Sequence, residues 1–304
     1  MRNDMRALIR AFRRGGRPPR RYPEWLTALL FLSPALLSLA LFRLYPAVKS
    51  AMDSLTVSPE ANTGFAGLSN YRYLFGSNGF HQAVTATIKI VAIAVAVQTV
   101  SALALAALLN VRSWGTAAWR TLIVVPIAVP LAVSSVVFGI AYRPDGPLNA
   151  LVVAFGLSKQ PFLGSDVQAP LALVVALSWV GVGYWMVFLI AGLQDIPKQL
   201  TEAAAVDGAG ATRTFFSITL PLLRRPLAFV IVANTVANVL VFAPSQILTQ
   251  GGPAGSTRVV MYDIYTRAFT LGDTGAASAE IVLLLIVMLA LVGAQLRLLG
   301  GWGR

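Results

Sequence analysis

Six long apolar runs leave this chain few ways to fold. They lie at about residues 25–46, 83–109, 119–142, 169–193, 226–248 and 277–299. A helix needs roughly 20 mostly apolar residues to cross the hydrocarbon of a bilayer, and each run supplies them. Backbone N–H and C=O groups find no water there, so the runs must satisfy their hydrogen bonds internally, as helices. The second holds Ile90 to Val97 and the alanine-rich Ala102 to Leu109, and the sixth holds Ile281 to Val292 almost unbroken. The predicted fold class is therefore an all-α membrane protein with six transmembrane helices. Composition agrees, because 57% hydrophobic and 12% charged residues cannot give a soluble domain its polar shell.

The distribution of charge sets an expected orientation. The net charge of +12 is not spread over a surface, since eight arginines, Arg2, Arg6, Arg10, Arg13, Arg14, Arg17, Arg20 and Arg21, precede the first apolar run. That run is too long for the apolar core of a secretory signal, and no small-residue cleavage site follows it. With the N-terminus inside, the segments 1–24, 110–120, 194–225 and 297–304 carry 16 Lys/Arg against 5 acids, and the outer segments carry 7 against 6. Basic residues stay on the cytoplasmic side, so both termini are predicted to be cytoplasmic. The positive charge then reads as orientation, aided by anionic membrane lipid, and not as a nucleic-acid site. Residues 1–24, with Gly15, Gly16, Pro18 and Pro19, are expected to form a basic tail, disordered or lying on the lipid surface, and residues 25–304 the transmembrane domain. Turn residues such as Pro144-Asp145-Gly146-Pro147 mark the outer loops, at 47–82, 143–168 and 249–276.

Several chemistries are missing. The chain has no cysteine and one histidine, His81, which removes disulfides, thiolate zinc sites and imidazole clusters. None of the four lysines, Lys49, Lys89, Lys159 and Lys198, follows the glycine run of a phosphate-binding loop. The chain is expected to bind no cofactor or metal and not to act as an enzyme by itself.

The most informative stretch joins the fourth and fifth runs, at about 198–221. It reads Glu202-Ala203-Ala204, three residues, Gly208, nine residues, then Ile218-Thr219-Leu220-Pro221. A short helix of small residues, a turn at Gly208 and a second short helix stopped before Pro221 are predicted. Alanines let another protein approach closely, and glycine accepts backbone angles that other residues resist. Glu202, placed near a helix start, would suit the positive end of the dipole and leave a carboxylate for a partner's arginine.

These residues and spacings resemble the cytoplasmic coupling loop of ABC importer permeases, known as the EAA motif. Phe31 to Pro46, the stretch Phe65-Ala66-Gly67-Leu68-Ser69-Asn70-Tyr71, Gly192 to Pro197, and Leu248-Thr249-Gln250-Gly251-Gly252-Pro253 resemble, in order, further signatures of the sugar-type members, such as the maltose permeases. The resemblance covers nearly the whole chain. It implies a bacterial cytoplasmic-membrane subunit that pairs with a second, similar permease on two ATP-binding subunits, which hold the ATP and Mg. An extracytoplasmic binding protein delivers the solute. The docking residues it implies are Glu202, Ala203, Ala204, Asp207, Gly208, Ile218, Leu220 and Pro221.

Polar side chains within a span are costly unless they meet each other, water or a solute. Asn234 and Asn238 lie four apart, on one face of the fifth run, with Thr235 beside them. Carboxamides donate and accept at once, which suits sugar hydroxyls, but asparagine also joins helices in membranes. In the fourth run, Trp179, Gly181 and Tyr184 could offer an aromatic face with room for a ring, or could be interfacial anchors. The resemblance aligns Asn234, Asn238, Gly181 and Tyr184 with solute-contacting positions. Lys89 and Glu280 could form an ion pair between spans, but each is expected to reach to the interface instead. Pro126, Pro130 and Pro244 are expected to break helical hydrogen bonds locally.

A carbohydrate is the expected cargo, with glycerol 3-phosphate or its diesters as the alternative. An anion would call for a basic residue, and the fifth run has none between Leu227 and Leu248. An ion-coupled secondary transporter would place carboxylates within its spans, where only Glu280 is available. A non-transporting membrane assembly factor would not need the docking loop.

Overall fold

The computed structural model describes residues 24–56, 64–110 and 115–300, so the basic tail expected over 1–24 lies outside it apart from Glu24. The described residues are helical, with no strand and a single isolated bridge between Thr56 and Phe65. Four helices are long and apolar enough to cross a membrane: α1 (Trp25–Asp53), α3 (Asn78–Leu109), α7 (Gln168–Gln194) and α12 (Thr274–Gly300). Two bent pairs raise the number to six if each counts as one span. They are Thr116–Ala128, which opens with α4 (Thr116–Val124), followed by α5 (Leu131–Ala141), and α9 (Ala211–Leu222) followed by α10 (Arg224–Val239). Shorter helices complete the order: α2 (Ser69–Gly76), α6 (Pro147–Ala154), α8 (Lys198–Val206) and α11 (Val260–Tyr265). The chain forms two units divided between Ser50 and Ala51, the first being most of α1 in its described part.

In the second unit, α3 lies along α7. Ala86, Ile90, Ala94, Gln98, Ala102 and Ala106 recur every four residues on α3, and all are buried. Small side chains at this spacing let backbones approach, which matters where lipid offers no hydrophobic drive between helices. Ala102 and Ala106 meet Trp185, Met186, Leu189 and Leu193 of α7, with Leu223 and Val230 closing the cluster. Gly183 of α7 touches the last turn of α4, and a Cβ there would strike the Ile123 carbonyl oxygen. Gly183→Ala must push two backbones apart, and overpacking of this kind costs about 1–3 kcal/mol. A lower thermal unfolding midpoint in detergent is expected, and an unchanged midpoint would contradict the contact.

Proline decides where the bent spans break. The third run was expected to be one helix over 119–142, but it bends by 100° between Ala128 and Leu131. Pro126 and Pro130 lack the N–H groups an α-helix would use there, and Val125–Ala128 tightens into a 3-10 turn instead. The fifth run, expected over 226–248, stops as a helix at Val239. Pro244 has no N–H for the Leu240 carbonyl and its ring would strike that oxygen, so the chain re-enters as a π turn over Ser245–Thr249.

Two expectations for the elbow need correction. The second short helix does not stop before Pro221 but runs through it to Leu222, because a π turn over Phe215–Thr219 re-routes the carbonyls beneath the proline ring. The bend of 69° falls at Leu223. Glu202 does not sit at a helix start either, being the fifth residue of α8, whose first turn holds no acid. The dipole argument for Glu202 therefore lapses, while its side chain stays exposed.

Candidate functional site

The elbow between α7 and α10 is built from local rules. Pro197 caps α8, whose Ala204 is buried while Ala203 faces out. At the far end Gly208 has φ +78, a left-handed angle. Its N–H donates to the Ala205 carbonyl at 3.1 Å, and the Ala209 N–H donates to Ala204 at 2.9 Å. That pair of bonds is the Schellman arrangement, which satisfies carbonyls left over at a helix end. Ile218 and Leu220 are half-buried, and Asp207 and Pro221 are exposed. Leu200, Val206, Phe216 and Leu222 are exposed as well, so the elbow offers apolar surface beside the Glu202 and Asp207 carboxylates. Exposed apolar side chains of this kind can receive another protein.

Within the helical bundle the predicted polar residues do come together. Asn238 donates to the Asn234 Oδ1 at 2.6 Å and to the Asn234 carbonyl at 2.9 Å. Asn234 donates to the Thr99 hydroxyl at 3.3 Å, and Thr235 accepts from Gln295 at 3.1 Å. Gln98 was not foreseen from sequence. It exchanges two bonds with Asn238, one from its own Nε2 at 3.4 Å and one from the Asn238 Nδ2 at 3.2 Å. Asn234 and Asn238 are 0% and 5% exposed, so in this state their carboxamides serve inter-helix bonds. Gly181 faces Gln98 across the α3–α7 contact. Trp179 and Tyr184 project outward instead, 42% and 43% exposed. Trp179 meets Phe138 edge-on at 5.7 Å, and Tyr184 continues through Phe188 to Phe229 with centroids 5.2 and 5.5 Å apart.

The segment after α10 holds a buried charge network that the sequence did not reveal. Asp263 accepts from Arg258 Nε at 2.6 Å and from Arg267 Nε at 2.9 Å. Arg267 Nε also lies 3.2 Å from Glu280 Oε2, a charge contact without hydrogen-bond alignment because the N–H already points at Asp263. The guanidinium sits 5.6 Å from the centroid of the Tyr73 ring. Burial alone would lower the Arg267 pKa, but the Asp263 and Glu280 carboxylates outweigh it and hold the group above its ordinary value. Glu280 was expected to reach to the interface, but it is buried and faces Arg267, because a carboxylate inside the bundle needs a cation beside it. Lys89 is exposed, and no ion pair joins it to Glu280 among the described residues.

Two of the sequence signatures are structural in detail. Asn70 donates to the Ser54 and Thr56 carbonyls at 2.9 and 2.7 Å, and the Tyr71 hydroxyl donates to Ser54 Oγ at 2.9 Å. In the glycine-rich signature after α10, Thr257 donates to the Gly252 carbonyl at 2.7 Å and pairs with Thr249 at 2.6 Å.

Comparison with known proteins follows the same lines. The family model for the inner membrane component of binding-protein-dependent transport systems matches residues 98–301. The probable ABC transporter permease protein YurN of Bacillus subtilis (strain 168) is 37% identical over 88% of this chain and 94% of its own length. The sn-glycerol-3-phosphate transport system permease protein UgpA of Agrobacterium fabrum is 30% identical over 91% of this chain and 95% of its own. The trehalose/maltose transport system permease protein MalF of Thermococcus litoralis is 31% identical, covering 89% and 92%. Among solved structures, a chain of a bacterial ABC transporter that imports the acidic polysaccharide alginate superposes with a TM-score of 0.80, at 21% identity, over 91% of this chain and 95% of that one. At that identity the likeness speaks for the fold.

Proposed function

This chain belongs to the family of inner membrane components of binding-protein-dependent transport systems, and we propose that it is one permease subunit of an ABC importer for a carbohydrate. Six spans, with both termini cytoplasmic, follow from the basic residues on the inner segments. The elbow then lies on the cytoplasmic side, where it docks an ATP-binding subunit through Glu202, Ala203, Ala204, Asp207, Gly208, Ile218, Leu220 and Pro221. ATP and Mg belong to two such subunits, and a second, similar permease completes the membrane part. A solute-binding protein delivers the cargo to the outer face.

The observation that carries this function is the exposed elbow inside the matched residues, a helix of small residues ended by Gly208 with apolar side chains around it. ATP binding would close the ATPase pair and drag the elbow, and α7 and α10 would follow because they join it on either side. The proline break between α4 and α5 supplies a joint for the gate. Asn234, Asn238, Thr235, Gly181, Tyr184 and Trp179 are the proposed solute contacts. Carboxamides would match hydroxyls, and the aromatic rings would match a sugar face. The named cargo of the Thermococcus relative favours a carbohydrate. That of the Agrobacterium relative favours glycerol 3-phosphate, an anion for which α10 offers no basic residue between Leu227 and Val239.

Co-expression with the neighbouring subunits, followed by ATPase assays with candidate solutes on the binding protein, tests this function. Stimulation by a neutral sugar is the expected result. Stimulation by glycerol 3-phosphate alone would reassign the cargo, and purification without any ATPase would end the importer assignment.

A further inference from the structure

The geometry points to Gln98 as a positioning residue for the solute site: its carboxamide, reaching over the bare backbone of Gly181, holds Asn238 in place and must let go for solute to be bound. The inference rests on the proposal that Asn238 contacts solute.

Three observations support it. Gln98 interrupts a stripe of alanines on α3, with Ala94 one turn before it and Ala102 one turn after, and only the hydroxyls of Thr87 and Thr99 share its polarity among the buried side chains of this helix. At 2% exposure it has no solvent to satisfy it, and its amide bonds go to Asn238, 140 residues away. Finally, a Cβ on Gly181 would stand 2.7 Å from Gln98 Oε1 and 2.9 Å from its Cδ. Glycine at 181 is therefore what makes room for this amide.

The bonds of 3.2 and 3.4 Å are long for amides, whereas the Asn234–Asn238 bond within α10 is 2.6 Å. The cross-helix pair is thus the looser part of the network. A sugar hydroxyl donates and accepts as an amide does, so one hydroxyl can take the place of Gln98 on Asn238 while a second meets the released Gln98 amide, leaving no buried group unpaired. A solute without such groups cannot make that exchange.

The test uses the complete importer in proteoliposomes and measures radiolabelled maltose taken up per ATP hydrolysed in the presence of binding protein. Gln98→Ala and Gly181→Ala should each lower this ratio about tenfold, the scale of one buried bond lost. The double variant should be no worse than either, because the methyl group added at position 181 then fills the space that the Gln98 amide left. Damage that is only structural would reduce uptake and hydrolysis in proportion, and that result overturns the inference, as does additivity of the two substitutions. If Gln98→Ala fails to assemble, Gly181→Ala alone reports the ratio, and an unchanged ratio is contrary evidence. Asn238→Ala separates the two levels of argument. If it leaves the ratio intact, the solute site is wrong. If it lowers the ratio while Gln98→Ala does not, only the role of Gln98 is lost.

Discussion

Asp263→Ala is expected to destabilise the folded protein by about 3–5 kcal/mol, the cost of breaking a buried ion network from one side. Asp263 is fully buried and accepts from both Arg258 and Arg267. Removing it leaves the Arg267 guanidinium, itself buried, with Glu280 as its remaining acid, in a contact that lacks hydrogen-bond alignment. The loss should spread, because Arg267 ties α11 to Glu280 of α12 and to Ser77 at the start of α3. Arg267→Lys should destabilise as well, since an ammonium cannot reproduce the planar group that meets Asp263, Ser77 and the Tyr73 ring together. Thermal unfolding of the purified chain in detergent provides the measurement. A midpoint within a degree of wild type for Asp263→Ala would mean that the network does not hold these helices together.

Gly208→Pro is expected to abolish uptake while leaving the membrane bundle folded. Proline fixes φ near −65°, whereas this position needs +78°, and it removes the N–H that bonds Ala205. The turn between α8 and α9 must open, and the exposed face around Glu202 loses its shape. Glu202→Lys leaves the turn intact and reverses the charge presented to a partner's arginine. Both variants should insert in the membrane at normal levels, yet fail to retain the ATP-binding subunits or to couple their hydrolysis to transport. Pull-down of those subunits and proteoliposome uptake are the two readouts. Normal values in both variants would remove the elbow from the mechanism.

The apolar runs announced the spans because hydrocarbon leaves a chain only helices, and Asn78–Leu109, Gln168–Gln194 and Thr274–Gly300 follow from that. The elbow was legible for a related reason, since its helix and its left-handed Gly208 depend on neighbours a few residues away. What failed to show were the size of the bends and the partners. Pro126, Pro130 and Pro244 marked breaks, but the 100° turn of the chain between Ala128 and Leu131 could not be read from them. Gln98 looked like one polar residue in an alanine-rich run, and Glu280 like a residue near a span's edge. Their roles depend on Asn238 and Arg267, which only packing brings near.

Residue order by itself therefore fixed what solvent and local geometry enforce: helices across lipid and a glycine-ended elbow. The tertiary structure decided which polar groups answer one another inside the bundle. A buried amide or carboxylate has no meaning until its partner arrives, and here Asn238 stands 140 residues from Gln98.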